Sequence, residues 1–525
     1  MAAGILGRKV RMDKKEAYEM PLKWKDSDKE IRVKCEDAAH KIYGDILPEE
    51  VELRLSEEID DICRNGYETL YLTVSSLIQG MGFRKSEYNY RGCSGNSFVA
   101  YLLGISGAVN PLPSHYRCSE AHYSEFQDCD TAYGYELPDK TCPVCGRKLI
   151  KDGFSLSEKF FMGEDGRKKP DFSINVVSGK KEEAMRVLGY MKGLGQIVGC
   201  GSADAETNTE RFVLRHPSSV ILIPDYAGDA ENYLKVIRGF NGEMISETDY
   251  YEVDHIFSKI GILWNTQTDH LSRVEDLTGI TADSISLDDN EVVAAFKPSL
   301  LDELHGVSGI DGLTGEIQET MLRMCPIRKF SDLVKLFGLM HGTGTWTGNA
   351  EELLMKGIVS INEVITDWDD VYDILIKYGI DKELAFSYAE RIRKGRGITE
   401  EQKTDLCAKG IPEWFIESCG KIRYLFPRAH SISYVLQIWQ LAWYKLHYPV
   451  QFYRAYLETA FISDTAKEIM LEGEDAIREE LESRKALEEQ GYGEYIERDE
   501  DNALKVALEM YMKGMRMPGL WQIKD

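Results

Sequence analysis

Apolar residues recur at helical spacing in two long regions of the chain. Near the N-terminus this spacing predicts helices over 31–43 and 50–66, and Pro48 with the acidic pair after it is typical of a helix start. The second half shows the same period over 353–354, 364–365, 371–378, 384–392 and the aromatic-rich stretch 433–447. We therefore expect helical layers in both halves of the chain.

A different pattern lies between these regions. The stretch 170–175 predicts a strand, in which Asp171 and Ser173 share one face because side chains alternate along a strand. An Asp-x-Asp pair in such a strand can hold two divalent cations for phosphoryl transfer. Ser173 occupies the second position, and an uncharged hydroxyl is a poor ligand for a hard cation. Taken alone, an ordinary edge strand is the favoured interpretation.

A loop rich in glycine and serine at 91–97 precedes the apolar run 98–105. A turn of this kind before a helix can direct backbone amides and hydroxyls at a phosphate. Without further context, a purely structural turn is favoured over a phosphate site.

Length and composition indicate several packing units. A chain of 525 residues is expected to form about three or four of them. The sequence has no apolar run long enough to span a bilayer, and residues 1–11 lack the core of a signal peptide. Its 11 cysteines, with one compact pair, indicate a reducing compartment. We therefore expect a cytoplasmic protein.

The net charge of −25 conflicts with nucleic-acid binding unless basic residues are concentrated locally. Such concentrations lie at 391–396 and 421–428. The C-terminal region instead carries acidic runs at 472–475, 479–482 and 494–501, which leave little of it available to DNA.

These features occur together in one known family. The ordered segments resemble the polymerase core of PolC-type bacterial DNA polymerase III alpha subunits over roughly residues 30–515. They are Arg-Gly-Cys-Ser-Gly-Asn-Ser-Phe-Val-Ala (91–100), Asn-Pro-Leu-Pro-Ser-His-Tyr-Arg-Cys (110–118), Leu-Pro-Asp-Lys-Thr-Cys-Pro-Val-Cys-Gly (137–146), His-Gly-Thr-Gly-Thr-Trp-Thr-Gly-Asn-Ala (341–350), Arg-Lys-Gly-Arg-Gly (393–397), Ile-Pro-Glu-Trp-Phe-Ile-Glu-Ser-Cys (411–419) and Phe-Pro-Arg-Ala-His (426–430).

The resemblance implies an α+β fold with a polymerase-β-like nucleotidyltransferase palm, a zinc-ribbon-like insertion and a large all-α fingers domain. The expected parts are N-terminal helices with the first part of the palm (1–115), the insertion (116–150), a palm strand (151–180), a reduced thumb remnant (181–230), more palm (231–300) and helical fingers (301–525). Because the chain begins close to the palm and ends just past the fingers, we expect no exonuclease, PHP or clamp-binding segment.

The family's palm carries three carboxylates that bind Mg²⁺. By resemblance Asp171 is the first, whereas Ser173 and Gly261 stand at the other two positions. One carboxylate cannot bridge two ions. Replacement acids would have to come from neighbours out of register, of which Asp225, Asp249, Asp254 and Asp269 are the candidates.

The resemblance also implies a nucleotide site. Its phosphate loop would be formed by Gly92, Ser94, Gly95 and Ser97. The fingers residues that match nucleotide-contacting positions are His341, Arg393, Lys394, Arg396, Lys421, Arg423, Arg428, His430 and Tyr434. The alternative is that these are solvated basic faces and core aromatics.

Cys142 and Cys145 form half of a zinc-ribbon knuckle, in which a tight turn sets two thiolates around one ion. In the family a second Cys-x-x-Cys begins where Cys118 stands, but Ala121 replaces its second cysteine. A structural zinc would therefore use Cys118, Cys142 and Cys145 with either His122 or Cys129.

We interpret the chain as a catalytically inactive homologue of a replicative polymerase core. It would bind a nucleotide, a nucleic-acid end or a replication protein. The first alternative is a working DNA-directed DNA polymerase that uses Asp171 with a substitute acid. The second is an interaction scaffold that has lost nucleotide binding. The oligomeric state and the physiological partner do not follow from the sequence.

Overall fold

The computed structural model describes residues 22–127, 133–202, 214–238, 244–249, 253, 256–297, 306–493 and 496–517. Three helices open the described chain: α1 (Ser27–Tyr43), α2 (Glu49–Arg64) and α3 (Glu68–Met81). The first two confirm the helices expected over 31–43 and 50–66. The second begins directly after Pro48, whose ring is compatible only with the start of a helix.

Within these ranges two sheets are found, with strands numbered along the chain. The small sheet has the order β3-β2-β4, and its strands are β2 (His115–Arg117), β3 (Ser124–Phe126) and β4 (Ile150–Asp152). The large sheet has the order β1-β5-β10-β7-β6-β9-β8. Its strands are β1 (Tyr88–Arg91), β5 (Phe172–Val176), β6 (Leu194–Ser202), β7 (Leu214–Pro224), β8 (Val236–Arg238), β9 (Met244–Asp249) and β10 (Ser258–Trp264).

The two faces of β5 have different surroundings. Phe172, Ile174 and Val176 are fully buried in the core that the sheet shares with α1–α3. Asn175 lies on the other face, where its amide donates to the Tyr434 hydroxyl at 3.0 Å. The strand predicted at 170–175 is confirmed as β5, but the expected edge position is wrong, because β1 and β10 pair with its two sides. Its polar face points into the C-terminal half of the molecule.

Short helices connect the sheets, and longer ones build the second half. The connectors are α4 (Phe98–Leu102), α5 (Lys159–Met162) and α6 (Lys181–Leu188), and α7 (Thr266–Thr278) follows β10. The remaining helices are α8 (Glu316–Met324), α9 (Phe330–His341), α10 (Glu351–Met355), α11 (Trp368–Lys377), α12 (Lys382–Arg393), α13 (Glu400–Ala408), α14 (Glu413–Lys421), α15 (Arg428–His447), α16 (Pro449–Thr459), α17 (Asp464–Glu472), α18 (Glu474–Glu489) and α19 (Arg498–Met512).

The helices expected over 371–378, 384–392 and 433–447 are confirmed by α11, α12 and α15. The helical expectation at 364–365 is wrong, because Val364 and Ile365 lie in the turn before α11 and are buried there without helical structure. A pair of apolar residues marks burial, and it is too short to establish a period.

The mixed class of α-helices and β-strands is confirmed, whereas the palm, zinc-ribbon and fingers assignments remain predictions. The segment 181–230, expected as a thumb remnant, contributes α6 and two strands of the large sheet. Strand β7 pairs with β10, and β6 pairs with the other side of β7. Among the described helices, none has the length and apolar character needed to cross a membrane.

Candidate functional site

The positions that match two palm carboxylates lie next to each other. Ser173 on β5 pairs with Gly261 on the parallel strand β10, and with Arg91 on the antiparallel strand β1. A Cβ atom placed on Gly261 would lie 2.2 Å from the Ser173 Oγ atom. Acids at both positions would be close enough to share metal ions. The side chains present supply one hydroxyl, flanked by an arginine.

Asp171 immediately precedes β5 and is exposed. Asp269, a proposed substitute acid, accepts a hydrogen bond from the Ser178 backbone N–H at 2.7 Å, and Asp225 is exposed just after β7. Asp254 and the side chain of Asp249 lie outside the described residues. Within the described ranges, the one group of three or more Cys, His, Asp or Glu side chains placed to hold a metal ion lies in the insertion and includes none of these aspartates.

The loop at 92–97 has a fixed shape. The Gly92 backbone N–H donates to Nδ1 of His430 at 3.1 Å. Gly95 lies against the Tyr90 ring, whose hydroxyl would be 2.2 Å from any added Cβ, so only glycine fits. Ser94 is buried, and the Ser97 hydroxyl caps α4 while donating to the buried carboxylate of Glu58. Burial raises the pKa of Glu58, although its hydrogen bonds act against that shift.

His341, His430 and Tyr434 line one cavity of about 300 Å³ above the polar face of the sheet. The Tyr434 and Phe337 rings stack with centroids 5.7 Å apart, and His430 stacks on Phe426 at 4.4 Å. Burial lowers the pKa of His430 to about 3, and the nearby Arg91 guanidinium and His341 ring act in the same direction. The imidazole is therefore neutral, which suits its role as acceptor of the Gly92 N–H.

Sequence reasoning missed several residues of this cavity. Arg91 lies at the end of β1, and Asn265 caps α7 by accepting from the Thr268 N–H at 2.9 Å. Asp311 also lines the cavity and accepts a hydrogen bond from the Thr266 hydroxyl. The motif Asn-Thr-x-Thr marks a helix start in the sequence, whereas nothing local signals the position of Asp311.

Arg428 is held by acidic residues of α11 and its N-cap. Its guanidinium lies 3.1 Å from Asp367 Oδ2, 2.8 Å from Asp370 Oδ1 and 3.3 Å from Asp373 Oδ2. Its backbone N–H donates to Asp369 Oδ2 at 2.9 Å. Four carboxylates therefore surround one arginine that resemblance assigns to the nucleotide.

Arg393 and Lys394 share the carboxylate of Glu390, at 2.7 and 2.6 Å. The Arg393 guanidinium also lies 4.5 Å from the centroid of the Trp368 ring. These two basic residues, like Arg428, are paired within the protein.

Three other predicted residues form an exposed surface, which we call the basic patch: Arg396, Lys421 and Arg423. Lys421 Nζ donates to the Gly348 carbonyl at 2.7 Å, and Arg423 Nη1 donates to the Gly420 carbonyl at 3.0 Å. No ion pair involving the patch is found among the described residues. The segment with Arg396 and the segment with Arg423 approach each other closely at Gly395, which has φ +70°. A Cβ atom at Gly395 would lie 2.4 Å from the Arg423 carbonyl oxygen, so the close approach requires glycine.

The insertion brings four potential metal ligands together: Cys118, His122, Cys142 and Cys145. Their ligand atoms all lie within 4.8 Å of one another, and Cys118 Sγ is 3.5 Å from Cys145 Sγ. Burial acts to raise the pKa of the Cys142 thiol, but the backbone N–H groups of Cys145 and Val144 outweigh it, so that the pKa is lowered. Cys129 lies outside the described residues.

A turn explains how His122 reaches this group although Ala121 replaces a cysteine. The Ala121 N–H donates to the Cys118 carbonyl at 3.0 Å, and Ala121 has φ 54°. This left-handed residue turns the chain so that the next side chain faces Cys118. Of the two ligand sets left open by the sequence, the described residues contain the one with three thiolates and one imidazole.

Comparisons with known proteins agree on one family. The model for the bacterial DNA polymerase III alpha NTPase domain matches residues 29–230, and that for the bacterial DNA polymerase III alpha subunit finger domain matches residues 266–409. A DNA polymerase III PolC-type of Thermotoga petrophila is 34% identical over 93% of this chain and 39% of its own length. The chain belongs to the PolC-type DNA polymerase III alpha family.

Other PolC-type relatives show the same extent. A DNA polymerase III PolC-type of Caldanaerobacter subterraneus is 32% identical over 93% of this chain and 38% of the relative, and one of Streptococcus pneumoniae is 31% identical over 91% and 36%. The chain thus spans well under half the length of these relatives. The finger match includes His341, Arg393, Lys394 and Arg396, so part of the basic patch falls in a segment that the PolC-type family shares.

Proposed function

We propose that this chain is a catalytically inactive PolC-type core that binds a nucleotide or a nucleic-acid end. The observation that carries the proposal is the pairing of Ser173 with Gly261 on adjacent strands. Two-metal phosphoryl transfer needs carboxylates that hold both ions. This row supplies a hydroxyl, a hydrogen atom and the cation Arg91 instead.

A working DNA-directed DNA polymerase is the second candidate, because the relatives bear the name of a polymerase. It would require Asp171 to act with a substitute acid and with Mg²⁺. Neither Asp225 nor Asp269 belongs to a converging ligand group among the described residues. Primer extension separates the two candidates.

Binding is supported by the cavity and by the basic patch. The cavity has one cation, Arg91, with aromatic rings from Phe337, Phe426 and Tyr434, which suits a nucleobase or sugar beside a phosphate. The patch offers three exposed cations in a chain whose net charge is −25. A replication protein or a partner that recognises only the shape of the chain would fit the scaffold alternative.

Reversing charge in the basic patch is expected to weaken phosphate binding. The double variant Arg396→Glu with Arg423→Glu should bind a short single-stranded oligonucleotide about tenfold or more weakly at low salt, because two phosphate contacts become repulsive. The wild-type affinity should itself fall steeply with salt. Fluorescence anisotropy measures both quantities, and the melting temperature should stay unchanged because neither side chain has an ion-pair partner in the described part of the chain.

Lys382→Glu with Lys409→Glu is the matched control. Both lysines are exposed in the same half of the protein but lie outside the patch, so the control changes net charge equally. Equal weakening in the two double variants would show a non-specific charge effect. Absence of binding by wild type at low salt would favour the scaffold.

We propose that Cys118, His122, Cys142 and Cys145 hold one structural zinc ion. Three thiolates and one imidazole are a common tetrahedral donor set, and a closed set of protein ligands leaves no position for a substrate. The ion would tie the 142–145 turn to the end of β2 in a small sheet with little apolar core.

Elemental analysis is expected to find about one zinc per chain. Cys142→Ser with Cys145→Ser should lose it, because two of four ligands are removed, and His122→Ala should weaken it strongly. Cys129→Ser and the exposed Cys407→Ser should retain the metal. Retention in His122→Ala together with loss in Cys129→Ser would assign the fourth position to Cys129 instead.

A cytoplasmic location remains part of the proposal. Free thiols away from the metal group, such as the buried Cys35 and Cys419, fit a reducing compartment.

A further inference from the structure

A second, smaller cavity lies on the other side of the Thr266–Asp311 hydrogen bond. It has a volume of about 40 Å³, enough for one ammonium group or a water molecule or two. The polar residues that line it come from α7, α16, α19 and the segment before α8: Thr266, His270, Asp311, Tyr456, Thr459, Asp499 and Asn502.

The walls of this cavity present more hydrogen-bond acceptors than donors, and the donors are the Tyr456 hydroxyl and the Asn502 amide. The Thr266 hydroxyl donates to Asp311, and the Thr459 hydroxyl donates to the Ala455 carbonyl at 2.8 Å, so their oxygen lone pairs are what remain. Asp311 and Asp499 add carboxylate oxygens. The acceptors outnumber the donors of Tyr456 and Asn502, so a bound donor or cation would satisfy the remaining lone pairs.

His270 provides an independent sign of a missing donor. It is 1% exposed, and its Nε2 lies 3.2 Å from the Phe452 carbonyl oxygen, which can only accept. Nε2 therefore carries the proton, and Nδ1 is a bare acceptor. Nδ1 is buried and has no hydrogen-bond partner among the described residues.

The two carboxylates of the cavity repel each other. Burial raises the pKa of Asp311, and the nearby charge of Asp499 raises it further, whereas the Thr266 hydroxyl acts in the opposite direction. A bound cation would remove this repulsion.

Two aromatic rings stand at the mouth of the cavity. Phe461 lines it and is 64% exposed, and its ring lies 5.8 Å from that of Trp264, which is 39% exposed. Exposed aromatic faces beside carboxylates bind alkylammonium groups, because the rings cover the alkyl stem and attract the charge.

We propose that this cavity binds the primary ammonium group of an alkylamine, whose stem lies on Phe461 and Trp264. Three N–H donors would meet Asp311, Asp499 and Nδ1 of His270. The source is either a free polyamine or a lysine side chain of a partner, since both present the same group. The site shares Thr266 and Asp311 with the larger cavity, but the proposal does not depend on nucleotide binding there.

Calorimetry with n-butylammonium chloride tests the proposal on the full chain. We expect saturable binding, accompanied by a change in tryptophan fluorescence that is lost in Trp264→Leu. Asp499→Asn should weaken binding about tenfold, because a charge-assisted contact is removed. Asp475→Asn, an exposed acid on α18, is the matched control and should bind as wild type does.

Comparison ligands identify the source. Spermidine and the peptide Gly-Gly-Lys-Gly-Gly are titrated at constant ionic strength, and the tighter ligand indicates a polyamine or a lysine partner. Equal heats with potassium or magnesium chloride, or no effect of Asp499→Asn and Trp264→Leu, would overturn the assignment. If butylammonium does not bind at low salt, the cavity holds water only and the proposal is wrong.

Discussion

Purified protein is expected to extend no primer on a DNA template, at any salt and with either Mg²⁺ or Mn²⁺. The physical reason is the row that pairs Ser173 with Gly261. The resemblance to the family implies a carboxylate at each of these two positions. Phosphoryl transfer depends almost entirely on positioning and on electrostatic stabilisation, and single charged groups contribute about a thousandfold or more. Loss of two should leave no measurable incorporation in a gel-based assay.

A second test places aspartates at positions 173 and 261. Ser173→Asp with Gly261→Asp is not expected to recover activity. The strands here are packed for a glycine: a Cβ on Gly261 would lie 2.2 Å from the Ser173 Oγ atom and 3.3 Å from the Ser173 Cα atom. The two strands would have to move apart before acids at both positions could hold metal ions. Template-dependent incorporation by wild type that disappears in Asp171→Ala, but persists in the control Asp475→Asn, an exposed acid on α18, would establish the polymerase alternative instead.

The sequence predicted helices correctly where the pattern of apolar and polar residues extended over several turns. Helices α2, α11, α12 and α15 carry repeated apolar positions. The pair at 364–365 was too short for the same argument. The parallel pairing of β5 with β10 has no local signature, because the two strands are separated by more than eighty residues and joined in space only by the fold.

The sequence alone could not distinguish the basic residues of the second half that form ion pairs from those that are exposed. They were expected to form one phosphate-binding cluster, but the structure pairs Arg393 and Arg428 with carboxylates and leaves Arg396 and Arg423 exposed. The partners of Arg428 precede it by more than fifty residues. Ser97 is a similar case, because the carboxylate of Glu58 that receives its hydroxyl lies on α2.

The acidic residues around Arg428 are therefore expected to contribute mainly to the stability of the folded chain, because they pair with this arginine. The arginine side chain is 21% exposed, and Asp367 is 3% exposed. Burial raises the pKa of Asp367 to about 6 and raises the pKa of Asp369 as well, although Arg428 lowers both. A cation held this way links the start of α15 to α11 and is not poised to contact a triphosphate.

Arg428→Met is expected to lower the free energy of unfolding by about 3 to 5 kcal/mol at pH 7.5, because it leaves buried carboxylates without their counter-ion. The loss of stability should be smaller at pH 5.5. Arg428 lowers the pKa values of Asp367 and Asp369, so without it these carboxyl groups take up protons at higher pH, and protonation removes the unpaired buried charge. Urea unfolding at both pH values measures this change. Arg423→Met, which removes an exposed arginine, should change stability by less than about 0.5 kcal/mol. Unchanged stability in Arg428→Met with a loss of nucleotide binding would instead assign Arg428 to the ligand.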